Sequence, residues 1–175
     1  YIDLIDLDID TVLDKKAKDK KFLIGLGEAK LTKFVQRSKI MEITKGPVIY
    51  EKLNFPKTSY ELYFDIEDDP TQAFVYLHGV YERSPDGERF VDFTALDKTD
   101  DSEKQAWSNF WKYIRSLPKD DFTTYYYSHH EKTTYRRMRE KYPDVVTEEE
   151  LAWFFSEEKA IDLYSIVSKY TDWPL

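Results

Sequence analysis

Glu61-Leu62-Tyr63-Phe64-Asp65-Ile66-Glu67-Asp68-Asp69-Pro70 is the stretch on which the reading of this chain turns. Leu62, Phe64 and Ile66 alternate with Tyr63, Asp65 and Glu67, and a strand sends alternate side chains to opposite faces. Asp65 and Glu67 therefore share one face, while the other is apolar enough to lie on a core. Two carboxylates side by side repel and raise each other's pKa unless a cation lies between them, so the pair suits a hard divalent metal. A solvated edge strand with an acidic outer face gives the same pattern, because acids are common on exposed strands. The aromatic and aliphatic inner face, and the Asp-Asp-Pro turn that follows directly, favour the metal reading here.

Outward from that strand, 175 residues suffice for one ordinary domain with a small appendage. Hydrophobic residues make up 41%, and 14 Tyr, 11 Phe and 4 Trp supply a bulky, partly amphipathic core. The net charge of -8 argues against a protein held to nucleic acid by bulk electrostatics, although local contact stays open. With no cysteine there is neither a disulfide framework nor thiolate chemistry, which fits a reducing, cytoplasmic setting. No run of about 18 apolar residues offers a membrane span, and no signal peptide shows. The chain begins at Tyr1 and stops at Trp173-Pro174-Leu175 just after a helical pattern, so it reads as a piece of something longer.

Residues 1–45 show Ile and Leu alternating with Asp over positions 2 to 9, then a helix from about Thr11 to Lys18. A second helix carries Leu31, Phe34, Val35 and Ile40 at helical spacing after Gly25-Leu26-Gly27. The pair resembles a helix-hairpin-helix element, in which a glycine-rich turn at Gly25 and Gly27 offers backbone N–H groups to a DNA phosphate. Lys30, Lys33, Arg37 and Lys39 would add charge; a plain helical hairpin whose glycines end the first helix fits equally. Residues 46–60, with Gly46, Pro47 and Pro56, read as a connector.

From residue 61 to 175 the pattern is strand, strand (Ala73 to Glu82), a Ser84-Pro85-Asp86-Gly87 turn, and a third strand (Arg89 to Thr94). A helix follows, with Ala106, Trp107, Phe110, Trp111 and Ile114 as its apolar stripe, ended by Pro118. Phe122 to Tyr127 is a fourth strand, Glu131 to Tyr142 a helix, and Thr147 with Glu150 forms a capping box for another. Ala160 to Tyr170 reads as a last helix.

This order, with Asp-x-Glu on the first strand, resembles a ribonuclease H-like fold: an α/β protein with a mixed sheet flanked by helices, preceded here by a small N-terminal helical hairpin. The chain resembles the DEDD (DnaQ-like) 3′–5′ exonuclease superfamily, and within it the predicted RecB-family nucleases, whose first motif is matched by Phe64-Asp65-Ile66-Glu67-Asp68-Asp69-Pro70. The second motif of that superfamily matches Tyr126-Tyr127-Ser128-His129-His130-Glu131, with Glu131 where most relatives carry Asp. The resemblance implies that Asp65, Glu67 and Glu131 are catalytic and hold two Mg²⁺ or Mn²⁺ ions about 3.5–4 Å apart. It also implies a nucleic-acid substrate, DNA or RNA with a single-stranded end, and an additional nuclease domain elsewhere in a full-length chain. Asp162 resembles an Asp that precedes the third motif in these proteins, so the nuclease domain is expected to be C-terminally incomplete.

The helix after Glu131 carries Lys132, Arg136, Arg137, Arg139 and Lys141 on an otherwise acidic chain. Lys132 and Arg136 share a face. They read as a rail for a phosphate backbone or as a solvated helix face with cations at its C-terminal end. His130 is the candidate substrate contact beside the carboxylates, whereas a zinc site at His129-His130 lacks partner ligands in suitable spacing. Tyr125, Tyr126 and Tyr127 offer a stacking surface for a base, with at least one of them facing the core. A non-catalytic nucleic-acid-binding or interaction module, and a ribonuclease H-like endonuclease, remain the alternatives.

Overall fold

Alternation in the acidic stretch becomes β2 (Tyr60–Asp69), whose Leu62, Phe64 and Ile66 are buried and whose Asp65 and Glu67 are exposed. A computed structural model describes residues 9–19, 22, 24–40 and 45–173. The chain divides into two compact units, one of residues 54–165 and one of residues 1–53 with 166–175.

In the larger unit β2 is the middle strand of a five-stranded sheet of order β4-β3-β2-β5-β6. It pairs antiparallel with β3 (Phe74–Ser84), which pairs antiparallel with β4 (Gly87–Thr94). Ser84 and Gly87 face each other across the expected turn, and Gly87 takes a φ of 120° that only glycine adopts without strain. On its other side β2 runs parallel to β5 (Phe122–Tyr126), and β5 parallel to β6 (Ala160–Asp162). Mixed pairing of this kind, with helices packed on the sheet, is the α/β architecture expected from the order of elements.

The stripe of α3 (Asp100–Ser116) buries Ala106, Trp107, Phe110, Trp111 and Ile114, and the helix packs on β3 and β4. Thr99 caps it by accepting the Ser102 N–H, and Asp100, Asp101 and Glu103 place negative charge in its first turn. Phe64 then meets Phe110, Tyr135, Phe154 and Phe155 with ring centroids 5.3–6.5 Å apart. Tyr135 lies on α4 (His130–Lys141) and Phe154 on α5 (Glu148–Phe154), so one side chain of the acidic strand anchors three helices. Truncating such a ring to Ala costs about 3–5 kcal/mol. Thr147 caps α5 through the Glu150 N–H.

Residues 160–170 depart from the single expected helix. Ala160 to Asp162 form β6 on the edge of the sheet, and only Leu163–Tyr170 (α6) is helical. A three-residue strand has no periodicity of its own to read. Its identity comes from the β5 backbone beside it, which supplies the hydrogen bonds.

The smaller unit packs α1 (Ile9–Lys18) against α2 (Glu28–Lys39) around Val12, Leu31 and Val35. Gly25 takes φ 79°, and Gly27 is the N-cap of α2, so the glycine turn between two helices is present. β1 (Val48–Ile49) pairs antiparallel with β7 (Thr171–Asp172). Arg37, read from sequence as a charge for DNA, is bound to the buried Asp172 by a 2.6 Å ion pair, which satisfies a carboxylate that would otherwise be isolated from water. The Ile/Leu–Asp alternation over 2–9 lies outside the described residues except for its last position.

Candidate functional site

Asp65 projects from the face of β2 away from the Phe64 cluster, and its Oδ1 accepts the Ile66 N–H at 2.9 Å. Beyond Tyr126 the chain leaves the sheet through Ser128, whose φ of 97° is an uncommon, strained value for a residue with a side chain. Asp162, the last residue of β6, pins that turn by accepting the Ser128 N–H at 3.2 Å. The same carboxylate caps the start of α6 through the Ser165 N–H and hydroxyl. Burial alone would raise its pKa, but the hydrogen bonds from Ser165 and Ser128 and the nearby His129 hold it below the ordinary carboxylate value.

That turn aims Glu131, in the first turn of α4, inward. Its side chain is 3% exposed, and Oε2 has no hydrogen-bond partner among the described residues. Burial first, and then the Asp65 carboxylate, close enough for a hydrogen bond between the two side chains, push the Glu131 carboxyl up to about 7. The structure thus brings Asp65 and Glu131 together as a coupled carboxyl pair.

Glu67 stays on the exposed face of β2 and does not complete the set. Among the described residues no three His, Cys, Asp or Glu side chains come together as a group that would hold a metal. The pair itself offers oxygen donors of the kind a hard cation takes, and Mg²⁺ is commonly held by one or two carboxylates together with substrate oxygens and water. The unpartnered Oε2 is the feature of the chain that such an ion would satisfy.

Asp68 was not among the residues singled out from sequence, yet it organises the end of the site. The register between β2 and β3 skips Tyr76 after Glu67, a bulge of the kind that re-aims side chains. Asp68 then meets α4, where Oδ1 lies 3.1 Å from His130 Nε2 and Oδ2 lies 3.5 Å from Arg137 Nη2. Strict alternation already places Asp68 on the Phe64 side of the strand, toward the helices; its partners come from 62 and 69 residues away. His130 is accordingly engaged by a carboxylate, and half of it remains open to solvent.

Lys132 and Arg136 line a cleft between α4 and α5. Gly25 and Gly27 lie in the other unit, where a Cβ at either would meet nothing within 4 Å. The tyrosine surface reduces to one residue. Tyr125 is buried by stacking on Tyr63 at 5.1 Å, Tyr126 packs edge-on against Phe155 in the core, and only Tyr127 is exposed. Three consecutive strand residues would leave two on one face, but Phe55 and Tyr63 cover that face at Tyr125.

Fold and site together define a mixed α/β domain whose central strand carries acids opposite a buried acid from the helix after β5. A family model of the RNase H superfamily matches residues 62–173, well over half of the chain, and the chain belongs to that superfamily. Neither among curated proteins nor among solved structures does a significant match emerge. The matched span takes in β2, the strained turn, Glu131 and Asp162, and membership points to nucleic-acid-related, nuclease-like work. Among the described residues no helix is long and apolar enough to cross a membrane.

Proposed function

We propose that the chain is a metal-dependent nuclease domain, a 3′–5′ exonuclease of the kind carried by RecB-family nucleases, hydrolysing phosphodiester bonds of DNA or RNA. The observation that carries this reading is Glu131: a buried carboxyl with an unpartnered oxygen, coupled to a second carboxyl on a neighbouring strand. Such an arrangement costs stability in the resting protein and gains its compensation from a cation.

Asp65 and Glu131 would hold Mg²⁺ or Mn²⁺, with Glu67 offered on the same face of β2 as Asp65. When bound, the metal supplies charge stabilisation at phosphoryl oxygens and an acidified water. Glu131, pushed up to about 7, is only partly ionised at neutral pH in the free protein and would give up its remaining proton on becoming a ligand. Asp68 orients His130 across the end of β2 and leaves the half-exposed ring within reach of substrate. In the smaller unit the Gly25 and Gly27 turn, where no side chain among the described residues caps the start of α2, is read as a helix-hairpin-helix contact for a DNA phosphate.

The test is digestion of an end-labelled single strand with Mg²⁺ or Mn²⁺, with Asp65→Ala as the control. Metal-dependent release of mononucleotides that vanishes in the variant is the expected result; longer products would replace the exonuclease by an internal cutter. A second reading, a non-catalytic nucleic-acid-binding module, is favoured by one observation: no three ligand side chains come together among the described residues. Strand binding without cleavage by folded protein would select it.

A further inference from the structure

We infer that the cleft between α4 and α5 is a phosphate site that seats the backbone of a nucleic-acid strand running past the carboxyl pair. The inference rests on the nuclease reading and deepens it by placing the strand. The cleft has a volume of about 290 Å³; Lys132, Arg136 and Arg139 form one wall, and Leu151 and Phe155 contribute an apolar floor.

The structure separates the five cations of α4 by their partners. Arg137 is tied to Asp68, and Lys141 is tied to Asp100 and Glu103, so both serve the scaffold. Lys132 and Arg136 have neither an ion pair nor a side-chain hydrogen bond among the described residues. Arg139 is intermediate. Its Nη1 lies 3.4 Å from Glu148, while its Nε is buried without an acceptor. Glu140 and Glu148 are the acids on the rim, so three cations face two carboxylates on a chain whose net charge is -8.

Each feature matches a phosphodiester. A guanidinium presents a planar fork suited to phosphate oxygens, and a lysine ammonium adds a point charge. An oxyanion in the cleft would add an acceptor for the Arg139 guanidinium, which Glu148 holds only at 3.4 Å. Lys132 follows Glu131 directly in sequence, and Arg136 stands about 6 Å further along the helix axis. The cleft therefore starts level with Glu131 and runs away from it along α4, as a strand leading to the carboxyl pair would.

The deciding experiment measures binding, not cleavage. Fluorescence anisotropy in EDTA, with labelled single strands of DNA and of RNA of one sequence, is recorded between about 50 and 200 mM salt. Wild-type protein is compared with Lys132→Ala/Arg136→Ala and with Arg136→Glu. The double variant is expected to weaken both strands about tenfold at 100 mM salt. Its slope of log K against log salt should be shallower by about 1.4, the contribution of two single-strand phosphate contacts. Arg136→Glu should weaken binding further, and an unchanged melting temperature shows that neither variant disturbs the fold. Loss with RNA alone would replace the phosphate by the ribose as the recognised group and overturn the proposal. Wild-type binding with unaltered affinity and slope in both variants would overturn the cleft and leave the nuclease reading standing. No binding by the wild type to either strand would sink both.

Discussion

Glu103 on α3 and Glu131 on α4 are both removed from water, at 0% and 3% exposure, and live in opposite surroundings. Glu103 accepts the Val75 N–H at 2.6 Å, the Tyr142 hydroxyl at 2.6 Å and the Lys141 ammonium at 2.7 Å. Its charge is spent on joining β3, α3 and α4. Glu131 has a second carboxyl for a neighbour and an oxygen with no partner. Burial alone does not mark a functional acid; burial with the charge left unanswered does. The same criterion picks out Arg139. Among the described residues it and Glu131 are the charged side chains with a buried unpartnered atom, and both lie on α4.

The contrast breaks most visibly at the scaffold acid. Glu103→Ala leaves the Val75 N–H and the Tyr142 hydroxyl without acceptors and Lys141 short of a partner, and should cost about 3 kcal/mol in urea unfolding. Cleavage per folded molecule should be unchanged. If that variant instead melts like the wild type, the network does not hold the helices. Asp65→Asn should do the reverse, lowering metal-dependent cleavage at least about a hundredfold while the unfolding midpoint stays within a degree or two. Retained cleavage would remove Asp65 from the site.

Glu131→Gln separates the two roles within one residue. An acid whose folded pKa is raised from 4.5 to about 7 contributes most below pH 4.5, and that contribution is lost as pH climbs to about 7. In EDTA at pH 8 the neutral amide should therefore stabilise the fold by about 2 kcal/mol, with the gap closing at acid pH. Mg²⁺ should raise the wild-type melting temperature and leave the variant's unchanged. A variant that is less stable at pH 8 would mean that Glu131 is already satisfied.

How far these roles are legible in sequence depends on the distance over which each is set. Asp65 and Glu67 show at once, because a period of two fixes their common face within six residues. The helix bearing Glu131 is bounded by Ser128 at one end and Pro143 at the other. That Glu131 faces inward is not legible. It follows from the turn at Ser128, which is held by an aspartate 34 residues later on a strand too short to announce itself. The cations of α4 look alike in sequence, and only the positions of Asp68, Asp100, Glu103 and Glu148 divide them into used and unused. The ion pair of Arg37 is hidden for the same reason, since its partner Asp172 lies 135 residues away.

His78 sharpens the comparison with the smallest expected effect, because it too has an unpartnered buried atom. Its Nδ1 shares a 2.7 Å hydrogen bond with the Tyr135 hydroxyl, and its Nε2 has no partner among the described residues. The ring lies between Phe110 and Tyr135, with no carboxylate against it, and burial drives its pKa down to about 3. A neutral ring answers a dry setting without a ligand, so the orphaned nitrogen belongs to packing and not to a site. The sign is then fixed. The folded chain refuses a proton that the unfolded chain accepts near pH 6.5, so this contribution is complete above pH 6.5 and is lost as pH falls toward 3. By pH 5.5 the wild type should have lost about 1.4 kcal/mol through this group, and His78→Gln should flatten that part of the profile. Cleavage at pH 7.5 should be the same in both once corrected for folded protein. If His78→Gln abolishes cleavage in a folded protein, an unpartnered neutral nitrogen would have to be counted with the carboxyl pair, and the distinction drawn from Glu103 and Glu131 would have to rest on geometry alone.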